Sequence, residues 1–244
     1  MDQTRQAWEA VSGKYEDESD EILAFALSER ALWPAERELL AEILAAAPDV
    51  VHPQSGDGAD DIALAKAGAR SVLGVDYSPR AVAAAQRRAE QAGLPVRYLV
   101  GKLPGLPVRD ASSDLVYTGK GALIWMRDLG AWARDLHRVL RPGGHLFIYE
   151  GHPAVPLWSW DEDEPRIRPD RSYFTRSFVN DTFPANGAVE SQWTLGEIVT
   201  TLIGAGFTIE HLAEYAEPFW RWGDLQAAAW SGRLPNAFSL LARR

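Results

Sequence analysis

Short apolar strands alternate with helix-forming stretches between residues 34 and 149, and this alternation fixes what the chain can fold into. A helical stretch follows Trp33-Pro34, with Leu39, Leu40, Ile43 and Leu44 on one face, and Pro48-Asp49 stops it. Val50-Val51-His52 reads as a first strand, followed by a glycine-containing turn and a helix from Ile62 closed by Gly68. Ser71 to Asp76 is a second strand ending in an acid. Pro79 to Ala92 is a helix with Ser78 placed to cap it and Gly93 to end it. Val96 to Val100 and Ser113 to Tyr117 read as the third and fourth strands. A helix over Leu129 to Leu140 stops at Arg141-Pro142-Gly143-Gly144, and His145 to Tyr149 is the fifth strand. Such an order calls for parallel pairing with right-handed crossovers.

Regularity is lost from Gly151 to Gln192, a stretch rich in Pro, Trp and Asp, and connections of that length are more often lids or binding loops than filler. It resumes with a helix over Leu195 to Ala205 and strands over Thr208 to Tyr215 and Phe238 to Ala242. A length of 244 residues suits one domain of this kind, and 46% apolar residues allow a sizeable core. The expected division is an N-terminal helical cap (1–32), a ligand-binding core (33–152), a lid insertion (153–193) and the C-terminal part of the sheet (194–244). With no cysteine, disulfides, thiolate metal sites and cysteine nucleophiles are excluded together. The net charge of −9 argues against broad contact with a phosphate backbone, so no nucleic acid partner is expected. No apolar run approaches the roughly 20 residues that cross a bilayer, and Met1 to Asp20 lacks the pattern of a secretory signal. A soluble cytoplasmic protein without a membrane partner is the expectation, and a homodimer is compatible with it.

The turn after the first strand reads Pro53-Gln54-Ser55-Gly56-Asp57-Gly58. Two glycines one residue apart let the backbone bend sharply and let a ligand approach without meeting a β-carbon. At the tip of the second strand, Asp76 can accept both hydroxyls of a ribose, and Tyr77 offers a flat face beside a base. A dinucleotide turn would carry a third glycine where Asp61 stands. Asp60 and Asp61 place negative charge at the helix N-terminus, where a pyrophosphate would sit. A ligand with a ribose and base but no phosphate, carrying a cationic centre, suits this acidic rim better than a nicotinamide dinucleotide.

These segments resemble the class I S-adenosylmethionine-dependent methyltransferases, small-molecule branch. The first motif of that family is matched by His52 to Gly58, its second-strand acid by Asp76, and its strand-four segment by Ser113 to Gly119. The most specific match is Arg138-Val139-Leu140-Arg141-Pro142-Gly143-Gly144-His145-Leu146. The chain departs from the pattern at His52 and Gln54, where the family has an acid and a glycine, and at Lys102, where it has an acid facing the adenine amino group. The resemblance implies a Rossmann-like open α/β sheet, mostly parallel with an antiparallel last strand, with helices on both faces and a lid insertion. It implies S-adenosylmethionine as cofactor, S-adenosylhomocysteine as product and no metal. The expected cofactor contacts are Tyr15, Gln54, Gly56, Gly58, Asp76, Tyr77, Ser78, Lys102, Leu103, Thr118 and Gly119.

The acceptor is expected to be a small aromatic or glycosylated compound of secondary metabolism, methylated on oxygen, nitrogen or carbon. Ten tryptophans is a high count, and Trp125, Trp158, Trp160, Tyr173 and Phe174 lie where loops would cover the sheet edge over a flat acceptor. His152, just past the fifth strand, is the candidate general base. Asp161-Glu162-Asp163-Glu164 reads as a solvated loop face. The competing reading, motivated by Gln54 and Lys102, is a protein of the same fold that binds a ligand, or catalyses a rearrangement, without methyl transfer.

Overall fold

The structure, a computed structural model, describes residues 3–158, 167–218 and 233–244. Trp160 and the acidic run Asp161 to Glu164 lie outside the described residues. Three short helices open the chain, α1 (Gln3–Val11), α2 (Lys14–Asp17) and α3 (Ser19–Ala26), followed by α4 (Pro34–Ala45). The core then runs β1 (Asp49–Pro53), α5 (Ala59–Lys66), β2 (Ser71–Asp76), α6 (Pro79–Ala92), β3 (Val96–Val100), β4 (Ser113–Gly119), α7 (Leu129–Val139) and β5 (Leu140–Gly151). A small hairpin, β6 (Ser177–Val179) and β7 (Val189–Ser191), precedes α8 (Leu195–Gly204), β8 (Thr208–Tyr215) and β9 (Ala237–Arg243).

Seven strands form one sheet in the order β3-β2-β1-β4-β5-β9-β8. The pairs β1–β2, β2–β3, β1–β4 and β4–β5 are parallel, and β9 is antiparallel to both β5 and β8. This is the Rossmann-like open sheet that the resemblance implies. Its inner strands bury side chains on both faces, as a sheet covered by helices on each side requires. Leu115, Tyr117 and Phe147 face the layer of Leu40 and Leu64 from α4 and α5. Their neighbours Val116, Leu146 and Ile148 face Trp132 and Leu136 of α7 and Leu202 of α8. Each such side chain contributes about 1.5–3 kcal/mol when fully buried. The helix over Pro79–Ala92 starts as its sequence predicts, with the Ser78 hydroxyl accepting from the Ala81 amide at 3.2 Å and Gly93 closing it in the left-handed conformation.

Two sequence expectations need correction. The fifth strand begins at Leu140 rather than His145, so Arg141-Pro142-Gly143-Gly144 lies within it. Arg141 bridges Asp114 at 2.6 Å and Asp49 at 3.2 Å, and the Gly143 amide donates to the Arg244 carbonyl at 2.9 Å. The register shifts between Ser113 and Leu115 opposite it, so the segment is a bulged strand start in which proline costs no ladder bond. The stretch from Gly151 to Gln192 also contains regular structure, the β6–β7 hairpin. No helix among the described residues is long and apolar enough to cross a membrane.

Candidate functional site

Strand order reverses between β1 and β4, and in an open sheet of this kind the crevice at that switch point takes the ligand. A cavity of about 500 Å³ opens there. Its floor and walls are the turn after β1, the tip of β2 and the segment Gly119 to Ala122 after β4; Trp8, Ser12, Tyr15, Phe25 and Trp33 from the N-terminal part roof it.

The turn is built from left-handed backbone, with φ of 60° at Gln54, 53° at Gly56 and 80° at Gly58. A β-carbon on Gly56 would meet nothing within 4 Å, which leaves that edge of the turn open to a ligand. Gly58 is constrained differently. A β-carbon there would overlap the Tyr98 hydroxyl and come within 2.8 Å of Ala85, so its lack of a side chain serves helix–strand packing, and it stands behind the cavity wall. Asp76 ties the turn to the next helix: its Oδ2 accepts from the Gly56 amide at 3.0 Å and its Oδ1 from the Ser78 amide at 2.9 Å. Burial raises the Asp76 pKa, and the two amides counteract it. Each carboxylate oxygen keeps a further lone pair.

The N-terminal helices are fastened over this crevice by polar contacts to α6. The Ser78 hydroxyl donates to Glu9, and Glu16 pairs with Arg80 at 3.1 Å and Arg87 at 3.0 Å. Arg88, fully buried, donates to the Asp57 carbonyl of the turn at 2.6 Å and to the Tyr15 carbonyl of the cap. Trp8 packs edge-on against Trp125 and against Phe183, each at 5.4 Å between centroids, and so joins the cap to the post-β4 segment and to the insertion.

Sequence reasoning missed the polar end of the cavity. Lys120 sits at φ 54° between two glycines, with Nζ bonded to Asp60 and 3.2 Å from Glu36 Oε2. Glu36 is fully buried and also accepts from the Trp33 amide at 2.6 Å and from the Tyr117 hydroxyl. Burial works against the ammonium, but Asp60 and Glu36 outweigh it and raise the Lys120 pKa. A lysine flanked by glycines directly after a strand was the local signal, but its carboxylate partners lie far away in sequence. The acidic-rim argument is corrected in the same place. Asp61 is buried against His52, 2.7 Å away, and Asp60 is engaged by Lys120, so neither presents a free charge to a ligand.

Of the expected contact residues, Tyr15, Gln54, Gly56, Asp76, Tyr77, Ser78, Gly119 and Trp125 line this cavity. Lys102, Leu103 and Thr118 do not: Lys102 is exposed, Leu103 packs on the core and Thr118 is buried within the sheet. Trp158, Tyr173 and Phe174 also lie elsewhere. Trp158 pairs with Ile167, the Tyr173 hydroxyl accepts from the Leu195 amide at 3.1 Å, and Phe174 is 81% exposed. His152 faces a second cavity of about 180 Å³, which shares Gly121 with the first. Its Nδ1 accepts from the Ala154 amide at 3.1 Å and its Nε2 lies 2.9 Å from Glu214. Both ring nitrogens are therefore occupied, and burial lowers its pKa against the pull of Glu214. Beside it, buried Glu150 accepts from the amides of Gly121, Ala122, Leu123 and Gly151 and so fixes the post-β4 segment.

Known proteins resemble this chain in sequence and fold. A family profile described as a methyltransferase domain covers residues 50–144. A demethylmenaquinone methyltransferase of Thermus thermophilus is 35% identical over 102 residues, 39% of this chain and 44% of that protein. A malonyl-[acyl-carrier protein] O-methyltransferase of Pseudescherichia vulneris is 27% identical over 227 residues, covering 78% of this chain and 88% of the relative. The chain thus spans less than half the length of the demethylmenaquinone methyltransferases it matches. The crystal structure of an S-adenosylmethionine-dependent methyltransferase from Mesorhizobium loti superposes with a TM-score of 0.69 at 28% identity, covering 88% of this chain and 98% of that one. Residues 50–144 thus match a methyltransferase domain, and the chain is similar in sequence and fold to S-adenosylmethionine-dependent methyltransferases.

Proposed function

We propose that this chain binds S-adenosylmethionine in the cavity at the β1/β4 switch point and transfers its methyl group to a small acceptor. The observation that carries the reading is Asp76, a half-buried carboxylate held by the Gly56 and Ser78 amides at the cavity wall, where its remaining lone pairs suit the two hydroxyls of a ribose. The residues present fit the cofactor. A cavity of about 500 Å³ lies in the range of small-molecule sites, Gly56 leaves room for close approach, and Tyr77 lines the wall beside Asp76.

When bound, the cofactor would supply a methyl group activated toward an acceptor by its positive sulfur. The chain's own residues then have to orient and to exclude water. Trp8, Tyr15 and Phe25 from the cap and Trp125 after β4 wall the cavity against solvent. The same aromatic faces support a flat organic acceptor, aromatic or glycosylated, methylated on oxygen, nitrogen or carbon. His152 receives no proton-transfer role, because it lies in the neighbouring cavity with both nitrogens engaged.

Titration calorimetry with S-adenosylhomocysteine tests the reading: saturable heat is expected, and none at ~1 mM ligand, weaker than about −4 kcal/mol, would overturn it. Asp76→Ala should weaken binding by about 1–3 kcal/mol, the scale of a hydrogen bond to a charged group.

A further inference from the structure

The β6–β7 hairpin brings a buried carboxyl to the second cavity, of about 180 Å³, which the methyl-transfer reading leaves without a role. This cavity meets the first at Gly121, where a β-carbon would find nothing within 4 Å. Its body is apolar, walled by Leu123, Val155, Phe178, Trp193, Ile198 and Phe238. An engineered apolar cavity of about 150 Å³ takes up benzene, so this volume suits a single six-membered ring with a small substituent.

The charged groups at its edge are mostly committed to one another. Arg168 pairs with Asp170 at 2.9 Å and with Asp181 at 2.5 Å. Arg171 pairs with the same two carboxylates at 2.8 and 3.0 Å and lies over the Phe178 ring, 4.2 Å from its centroid. Two guanidiniums thus face two carboxylates, and neither is left to hold an anion. His152 and Glu150 are engaged by Glu214 and by backbone amides, and Gln192 spends its amide donor on the Pro153 carbonyl at 2.7 Å. Glu190 is the exception. It lies opposite Phe178 in the hairpin, is 7% exposed, and accepts from Asn180 Nδ2 on Oε1. Asn180 is itself oriented by the Ala185 amide, which donates to its Oδ1 at 2.8 Å. Among the described residues nothing donates to Glu190 Oε2, and, unlike Arg171 Nε, that atom is not sealed in by protein. Burial raises the Glu190 pKa against the donation from Asn180, which makes its carboxylate a stronger acceptor than an exposed one.

We propose that the second cavity seats the ring of the methyl acceptor and that Glu190 selects acceptors carrying an uncharged hydroxyl on that ring. An ammonium would be costly to desolvate between these apolar walls, and a carboxylate would meet Glu190 and Asp181 with both arginines already taken. The assignment rests on the methyl-transfer reading, and the test separates the two. The probes are 4-methylphenol, toluene, which lacks the hydroxyl, and benzoate. Each is titrated by calorimetry into protein saturated with S-adenosylhomocysteine, so that the first cavity is filled. 4-Methylphenol is expected to bind at least about tenfold more tightly than toluene, and benzoate to give no heat. Glu190→Gln keeps an acceptor for Asn180 but turns a donor toward the ring. It should lower 4-methylphenol affinity at least about fivefold, while toluene and S-adenosylhomocysteine change less than about twofold. Equal affinities for 4-methylphenol and toluene, benzoate binding tighter than either, or a Glu190→Gln protein that takes 4-methylphenol as before would each overturn the assignment and leave the methyl-transfer reading standing. If Glu190→Gln loses S-adenosylhomocysteine as well, it has misfolded, and the three probes on the native protein decide. If the native protein takes up no S-adenosylhomocysteine, the methyl-transfer reading falls and the acceptor assignment with it.

Discussion

Replacing Gly56 and Gly58 by alanine, one at a time, separates two demands that the turn makes on the chain. Both glycines lie in the left-handed region, with φ of 53° and 80°, so either substitution costs about 1–2 kcal/mol in backbone strain. At Gly56 nothing lies within 4 Å of the added carbon, and strain is the whole cost to stability. At Gly58 the added carbon would overlap the Tyr98 hydroxyl and lie 2.8 Å from Ala85, side chains that are 8% and 0% exposed and have no room to retreat. Overpacking of this sort adds about 1–3 kcal/mol. The expected losses are therefore about 1–2 kcal/mol for Gly56→Ala and about 2–5 kcal/mol for Gly58→Ala, a gap of roughly 5 °C in melting temperature for a chain of this size. Thermal unfolding followed by circular dichroism measures that gap. Calorimetry with S-adenosylhomocysteine should show the opposite ranking relative to stability, because the methyl group at Gly56 would project into the open space where the proposed ligand would lie. Equal melting temperatures for the two variants, or a stable Gly58→Ala protein that has lost only binding, would refute the division of roles.

Glu150 and His152 give two further tests. Glu150→Ala leaves the buried amides of Ala122 and Leu123 and the half-buried ones of Gly121 and Gly151 without their acceptor and should cost about 3 kcal/mol or more, whereas Glu150→Gln keeps one acceptor oxygen and should cost less; urea midpoints that coincide for the two variants would contradict this. His152 has a folded pKa held below 6.5 by burial, so the unfolded chain binds its proton first on acidification. Its contribution to stability is present above about pH 6.5 and is lost as pH falls through the lower folded value. Urea midpoints at neutral and mildly acidic pH should therefore fall more for the native protein than for His152→Gln, and parallel pH profiles would argue against a buried neutral imidazole.

The sheet was legible because its strands are short apolar runs punctuated by Pro, Gly and Asp, and the helix over Pro79–Ala92 carries both of its end signals in Ser78 and Gly93. Local patterns failed where local chemistry and tertiary role diverge. Arg141-Pro142-Gly143-Gly144 reads as a turn, yet Asp114, Asp49 and the carboxy-terminal strand hold it as a strand. The strands Ser177–Val179 and Val189–Ser191 are too short to show a period. Gln54 and Gly56 of the turn and Asp76 and Tyr77 at the tip of β2 line the cavity that their spacing points to, whereas Gly58 serves packing behind it. The cluster of Lys120, Glu36, Asp60 and Tyr117 was not legible, because its members come from α4, α5 and the end of β4 and meet only when the chain is folded. Trp158, Tyr173 and Phe174 fall outside this cavity for a related reason: aromatic composition shows that rings are present, but not which way the backbone turns them.

Arg88 gives the cap a property that its sequence does not advertise. One desolvated guanidinium holds the carbonyl of Asp57 on one side and that of Tyr15 on the other. Departure of the opening helices would break the guanidinium's bonds to the Tyr15 carbonyl and the Ser19 hydroxyl and uncover a buried cation. The amino-terminal helices and the first βα connection therefore share one anchor, so an order that either gains is passed to the other through the same side chain.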